Sequence, residues 1–272
     1  MEIRNIAVVL EIGSVDPDLV ALASDLARRH HATLTGIASA EPPIVLTDMG
    51  GGDVAGAFYA EQREQIASSL AAAGQNFAAL VPPSVKHRWI GEVRQPEAAV
   101  IDAARTVDLI IVGSSIQQGG TGRNIDIGAV LLGVGRPILI TALGTRKLKA
   151  AKIVVAWKDT KEARRAIVDT LPFLKGAEDV SVVVVDEGNL ATERASMLDA
   201  VAWLQSHEVK AHGDVLPDTG GVAQTITQAA ATAGADLIVS GAYGHSRLRE
   251  WLLGGMTRDL LATPGVNRLL SN

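Results

Sequence analysis

The feature that most constrains the fold of this chain is a hexapeptide that occurs twice. Residues 108–113 read DLIIVG and residues 236–241 read DLIVSG, and a proline follows each copy, at Pro137 and Pro264. The two hexapeptides are 128 residues apart and the two prolines 127, so the repeating unit has the size of a domain. The sequence therefore predicts a tandem duplication: a first domain over residues 1–143, a short basic link, and a second domain over residues 150–272.

Within each half, short apolar runs alternate with stretches of helical periodicity. Runs such as 6–10 and 153–157 have the length and the Val/Ile content of buried strands. The chain is 47% hydrophobic but only 3% aromatic, which favours the aliphatic core of a parallel sheet. The order predicts right-handed βαβ units, and so two α/β domains, each with a five-stranded parallel sheet flanked by helices. Residues 41–56 lack any period and are predicted to form a loop before a long helix over 57–80.

Composition excludes several classes of function. The net charge of −5 argues against general binding to nucleic acid or to an anionic membrane surface. The chain has no cysteine, so a disulfide framework and a thiolate metal site are excluded. No apolar run reaches the roughly 20 residues needed to cross a bilayer, and the N-terminal run is too short for a signal peptide. We expect a cytoplasmic protein with no membrane or nucleic-acid partner.

The second hexapeptide leads into a glycine-containing turn. Gly241 and Gly244 follow the apolar run 237–239, and a helix is predicted to begin near Ser246. Glycines let backbone N–H groups approach an anion, and the start of a helix offers unpaired donors at the positive end of its dipole. Strand, glycine turn and helix start together predict a phosphate-binding loop; a tight strand–helix turn without a ligand is the alternative.

The spacing of three glycines, Gly241, Gly244 and Gly254, is G-x2-G-x9-G. Here the chain resembles the universal stress protein family, whose nucleotide-binding members carry this motif followed by Ser or Thr. The resemblance covers both halves and includes the residues after the first strand of the second half, VAWKDT at 155–160. It implies an adenine-nucleotide α-hydrolase-like fold that binds ATP or a related adenine nucleotide, with Mg²⁺ accompanying it, at the carboxyl ends of the strands. Carried over by position, the resemblance implies a site in the second domain made of Ala156, Trp157, Lys158, Asp159, Val185, Gly241, Gly244, His245, Arg247, Gly254, Gly255, Met256 and Thr257.

Two positions depart from the family pattern. Gly255 stands where the motif has Ser or Thr, so Thr257 is expected to supply the hydroxyl. Lys158 stands where the family often has an acidic residue, so Asp159 is expected to reach the base or ribose and Lys158 a phosphate. In the first half Ser114 and the residues after it replace the glycine turn, and we expect nucleotide binding in the second half alone.

Other functions fit the sequence less well. Gly244–Leu248 resembles the nucleophile elbow of hydrolases, but the last glycine is missing and no histidine follows Ser246. The zinc motif H-E-x-x-H is nearly present at His207, Glu208 and His212, but its two histidines are five residues apart instead of four. No P-loop motif occurs, so we expect at most slow ATPase activity. The remaining alternative is a protein-interaction module of the same fold that dimerises through its last strands. We expect a homodimer or an intramolecular pseudo-dimer.

Overall fold

A computed structural model describes residues 2–43, 52–114, 125–186, 188, 190–242 and 265–272. The chain divides into two compact units. The first unit is Arg4–Val134, and the second unit is Gly135–Asn272 together with the N-terminal residues up to Ile3. The predicted division at residues 143–150 therefore differs from the compact units by the strand that follows Gly135.

The first unit is a parallel sheet with helices packed against it. Its strand order is β3-β2-β1-β4, and each neighbouring pair is parallel. The buried interior is aliphatic, with Ile6, Leu34 and Ile111 among its inaccessible residues. The elements are β1 (Asn5–Val9), α1 (Pro17–His30), β2 (Thr33–Ala40), α2 (Gly52–Leu80), β3 (His87–Val93), α3 (Pro96–Ala103), a 3₁₀ turn (Ala104–Thr106), β4 (Leu109–Gly113) and α4 (Ile127–Val134).

The second unit repeats this topology. Its strand order is β5-β10-β9-β6-β7-β8, and all neighbouring pairs are parallel except β5 with β10. Helices α5 and α6 lie on one face of the sheet and α7 on the other, as right-handed crossovers require. The elements are β5 (Ile138–Thr141), β6 (Lys152–Ala156), α5 (Lys161–Leu174), β7 (Asp179–Asp186), α6 (Leu190–Ser206), β8 (Ala211–Pro217), α7 (Val222–Ala233), β9 (Leu237–Gly241) and β10 (Asn267–Ser271).

The aspartate that opens each hexapeptide repeat has the same structural task in both units. The Asp108 carboxylate accepts hydrogen bonds from the backbone N–H groups of Arg4 and Asn5, at 2.8 and 2.9 Å. The Asp236 carboxylate accepts from the N–H groups of residues 151 and 152, at 3.3 and 3.2 Å. Each aspartate thus joins the start of the fourth strand in its half to the start of the first. The structure confirms that the two halves are copies of one α/β unit.

The strand Ile138–Thr141 is an exception to the parallel pairing. β5 pairs antiparallel with β10, with Leu139 opposite Leu269. Asn267 secures this arrangement: its Oδ1 accepts from the backbone N–H of Ala142 at 3.0 Å, and its Nδ2 donates to the Asp236 carbonyl at 2.9 Å. The last strand of the second half is therefore held between β5 and β9.

Helix α2 begins earlier than the sequence predicted. The stretch 41–56 was expected to be a loop, yet the helix already includes Gly52. Residues 56–61 are all exposed, so no apolar periodicity marks this part of the helix. No helix in the part of the chain that the structure describes is both long and apolar enough to span a bilayer.

Candidate functional site

The second unit has its topological switch point between β6 and β9. Strand β6 pairs with β7 on one side and with β9 on the other. In the pairing with β9, Ala156 lies opposite Ser240. Residues 157–159 and 241–242 therefore emerge side by side at the carboxyl edge of the sheet. Open α/β sheets bind ligands in the crevice at such a point. This edge is the candidate site, and it brings together six of the predicted residues: Ala156, Trp157, Lys158, Asp159, Val185 and Gly241.

The connection from β6 to α5 is a tight, charged cap. Thr160 has an extended backbone, and its hydroxyl accepts a hydrogen bond from the backbone N–H of Ala163 at 3.2 Å. Its own N–H donates to the Lys158 carbonyl at 2.7 Å, which fixes the turn. The Asp159 carboxylate pairs with Arg164, with 2.9 Å between Nη2 and Oδ1. Asp159 is thus engaged by the helix beside it, although both side chains are exposed and the pair is weak.

Packing requires a glycine at position 241, whether or not a ligand binds at this edge. A Cβ atom built on Gly241 would lie 2.5 Å from the backbone nitrogen of Ala163 and 2.6 Å from the carbonyl carbon of Glu162. The last residue of β9 thus contacts the backbone of the first turn of α5 directly. A side chain at position 241 has no room, so the alternative interpretation, a tight structural contact, accounts for this glycine on its own.

The side chains of Trp157 and Val185 belong to the core. The Trp157 indole is 8% exposed, and its Nε1–H donates to the Ser196 hydroxyl of α6 at 3.3 Å. Val185 packs with Ala156 and Ile226 under α7. A ligand at the carboxyl edge would meet the backbone of these residues and not their side chains.

Seven predicted site residues lie outside the described residues: Gly244, His245, Arg247, Gly254, Gly255, Met256 and Thr257. Ser246, the residue weighed as a hydrolase nucleophile, lies outside them as well. Their roles stay predictions.

A buried carboxylate beside Gly241 was missed by the sequence analysis. Glu162 is 2% exposed, and its Oε1 has no hydrogen-bond partner within the described part of the chain. The Lys161 ammonium lies 3.6 Å from that oxygen. The position in the first turn of α5 stabilises the charge through the helix dipole. The signal was present in the sequence, because an acidic residue two positions after a capping threonine marks a helix start.

The two histidines that nearly matched a zinc motif are separate. His207, after α6, stacks on Trp203 with ring centroids 4.1 Å apart. His212, on β8, lies 3.3 Å from Asp179. Within the described ranges, no group of three or more His, Cys, Asp or Glu side chains could hold a metal ion.

The same edge of the first unit carries the opposite charge. The N–H of Leu10 donates to the Ile37 carbonyl as that of Trp157 donates to Val183, each at 2.8 Å, so Glu11 is the counterpart of Lys158. The eight residues from Glu11 onward contain three acidic residues and no basic one, a net charge of −3. The eight residues from Lys158 onward contain four basic and two acidic residues, a net charge of +2. Of the two edges, that of the second unit suits an anion better.

No protein-family model and no curated protein matches this sequence. Solved structures do match over nearly the full chain. A universal stress protein from Archaeoglobus fulgidus DSM 4304 superposes with a TM-score of 0.67 and 16% identity, covering 98% of this chain and 96% of that one. The chain has the universal stress protein fold. Because the match spans almost the whole of a chain built from two α/β units, the tandem arrangement predicted from the repeats is confirmed.

Solved structures of other kinds also match this chain. A functionally unknown protein from Pseudomonas aeruginosa PAO1 matches with a TM-score of 0.55 and 16% identity, over 99% of this chain and 92% of that one. The cytoplasmic domain of a prokaryotic cation chloride cotransporter matches with a TM-score of 0.51 and 11% identity, over 99% and 95%. Identities this low establish the fold, while function has to be argued from the site.

Proposed function

We propose that this chain is a tandem universal stress protein that binds ATP or a related adenine nucleotide in its second unit and acts in a stress or signalling response. One observation carries the proposal. The switch point between β6 and β9 places a net cationic connection beside Gly241, the first glycine of a G-x2-G-x9-G motif. A positively charged crevice at the carboxyl ends of parallel strands is suited to a phosphorylated ligand.

The charge contrast supports binding in the second unit only. The first unit has Glu11 where the second has Lys158, and its glycine motif is missing after Gly113. An acidic edge repels phosphate groups. The proposal therefore predicts one nucleotide for each chain.

Isothermal titration calorimetry with ATP, with and without Mg²⁺, tests the proposal. Lys158→Glu changes the local charge by two units. At roughly 6 Å from one phosphate charge, in a water-like dielectric, this change costs about 1.4 kcal/mol, or about a tenfold weaker affinity. Lys175→Glu is the matched control, because Lys175 follows the opposite end of α5, roughly 20 Å away along the helix.

The outcomes separate the proposal from its rivals. Binding of one ATP per chain that weakens in Lys158→Glu, and not in Lys175→Glu, supports the site. No heat of binding at millimolar ATP rejects nucleotide binding altogether. Release of phosphate from bound ATP at several turnovers per second would reject our expectation that the protein is at most a slow ATPase.

A second candidate function is a protein-interaction module of the same fold. It is favoured by Gly241, because contact with α5 explains that glycine without a ligand. It predicts a homodimer or a hetero-complex that is insensitive to nucleotide. Light scattering coupled to size exclusion, with and without ATP, distinguishes this function from ligand-responsive signalling.

A further inference from the structure

An arginine is buried in the middle of the apolar second unit. Arg268, on β10, is 3% exposed, and its Nε and Nη2 have no hydrogen-bond partner within the described residues. Its neighbours across the sheet are Ile140 on β5 and Ile238 on β9, both buried. A buried charge without a counterion costs several kcal/mol, so such a residue requires a reason.

A second orphan polar group lies on the same face. Ser240 is 2% exposed, and its hydroxyl also has no partner among the residues that the structure describes. Ser240 lies two residues beyond Ile238 on β9, and side chains two apart on a strand share a face. Arg268 and Ser240 are therefore diagonal neighbours, both hydrogen-bond donors, on the side of the sheet that packs against α7.

The described elements next to this pair supply no anion. Helix α7 contains no acidic residue, and the residues of β5, β6, β9 and β10 that share the face are apolar apart from these two and Lys152. Asp236, the acid that precedes β9, is occupied by the backbone N–H groups of residues 151 and 152. Consistently, burial alone lowers the pKa of Arg268, with no carboxylate to oppose the shift.

The first half lacks this pair. The counterpart of Ser240 on β4 is Val112, since Val112 pairs with β1 as Ser240 pairs with β6. The last strand of the first half, β5, reads ILIT and carries no charge. An arginine and a serine thus stand together in one copy of the unit where the other copy is apolar, which a purely packing role does not explain.

We propose that Arg268 and Ser240 form a buried oxyanion site that takes a phosphate-type group on the α7 side of the second unit. The planar guanidinium offers paired N–H donors that match an oxyanion, and the hydroxyl supplies a further donor. The group is either free phosphate or a phosphate of a bound nucleotide. The free-phosphate alternative is independent of the proposed nucleotide function, whereas the nucleotide alternative rests on it.

Thermal unfolding with increasing phosphate tests the site. In the wild type, Tm should rise by about 2–4 °C for each tenfold increase in inorganic phosphate above its Kd, and NaCl of matched ionic strength should not reproduce the rise. Arg268→Met should abolish the phosphate response, and Ser240→Ala should reduce it. Arg28→Met is the control, since Arg28 is exposed on α1 in the other unit.

Each outcome decides the proposal. A wild type whose Tm rises with neither inorganic phosphate nor ATP, or an equal rise in Arg268→Met, overturns it. If that variant does not fold, Arg268→Lys decides, because a rise as large as in the wild type contradicts recognition by the guanidinium.

An ATP series identifies the source of the oxyanion. A rise with phosphate alone, lost in Arg268→Met, assigns the site to the free ion. A rise with ATP alone, also lost in Arg268→Met, assigns it to a nucleotide phosphate. A response to ATP that survives in Arg268→Met, with none to phosphate, leaves nucleotide binding intact and rejects the Arg268 site.

Discussion

The contact between Gly241 and helix α5 predicts that one added methyl group destabilises the second unit. In Gly241→Ala the new Cβ would lie 2.5 Å from the backbone nitrogen of Ala163 and 2.6 Å from the carbonyl carbon of Glu162. Both atoms belong to the backbone of the first turn, which Thr160 caps. No rotamer change can relieve the contact, so the strand or the helix has to move.

The size of the effect follows from close packing. Carbon atoms in a protein interior are separated by about 3.5–4.0 Å, so relief requires a shift of roughly 1 Å in elements that are packed at crystal-like density. Overpacking of this kind costs typically 1–3 kcal/mol. With an m-value of about 2 kcal/mol/M, a cost of about 2 kcal/mol lowers the midpoint in urea by about 1 M.

Urea unfolding followed by circular dichroism measures this cost, with Gly13→Ala as the matched control. Gly13 also follows the first strand of a unit, and a Cβ there would meet no atom within 4 Å. Gly13→Ala should be neutral or stabilise by up to about 1 kcal/mol, through the lower entropy of the unfolded chain. A Gly241→Ala protein as stable as the wild type would refute the packing argument. If the argument holds, loss of ATP binding in a Gly241 variant is no test of the ligand site.

Two further predictions concern packing and pH. Gly74→Ala should destabilise the first unit by about 1–2 kcal/mol despite the better helix propensity of alanine, because its Cβ would lie 2.7 Å from Nε1 of Trp89. Gly56→Ala, in an open part of the same helix, should stabilise by a few tenths to about 1 kcal/mol; urea midpoints that move in the same direction would contradict this contrast. Hydrogen bonds from the N–H groups of Gly221 and Gly220 lower the pKa of Asp218 in the folded protein. The Asp218 carboxylate therefore adds to the free energy of unfolding above its unfolded pKa of about 3.9. This stabilisation is lost as the pH falls through the lower folded pKa. The stability gap between wild type and Asp218→Ala should therefore be full at pH 6 and narrow below about pH 4 in urea titrations, and an unchanged gap at low pH would count against this carboxylate.

Much of the fold could be predicted because its local signals are strong. The sequence indicates a helix that starts at Pro17 with Ser14 or Asp16 as its cap, and Asp16 is the residue that caps it, accepting from the N–H groups of Asp18 and Leu19 at 2.9 and 3.4 Å. The sequence predicts a helix over residues 161–174, and α5 has these bounds because its cap and its apolar stripe agree. The sequence was misleading where the signal was weak. Residues 56–61 of α2 are exposed and carry no apolar period. The apolar pattern predicts a strand that begins at Val209, whereas the N–H of Val209 donates to the Leu204 carbonyl in the preceding turn and β8 begins at Ala211.

The candidate site was less predictable, because its residues act through partners that are distant in sequence. Motif spacing indicates Gly241, but its contact with Ala163 depends on the packing of β9 on α5. Trp157 was included for its place after β6, yet its indole is directed to Ser196. Arg268 follows Asn267 and looks like an ordinary basic residue in the sequence, and only the folded sheet shows that it is buried. Such long-range contacts are not encoded in any local pattern.

The antiparallel pairing of β5 with β10 has a consequence for synthesis. Ile140 and its partner Arg268 are separated by 128 residues, so this contact closes a loop of the length of a domain. At 5–20 residues per second, the ribosome needs about 6–26 s to deliver β10 after β5 has been made. During that interval β5, which has three aliphatic residues and one threonine, lacks its partner β10 and presents an open strand edge. Open strand edges promote association between nascent chains. The demand of this fold on chaperones should therefore be set by translation speed through the second half of the message.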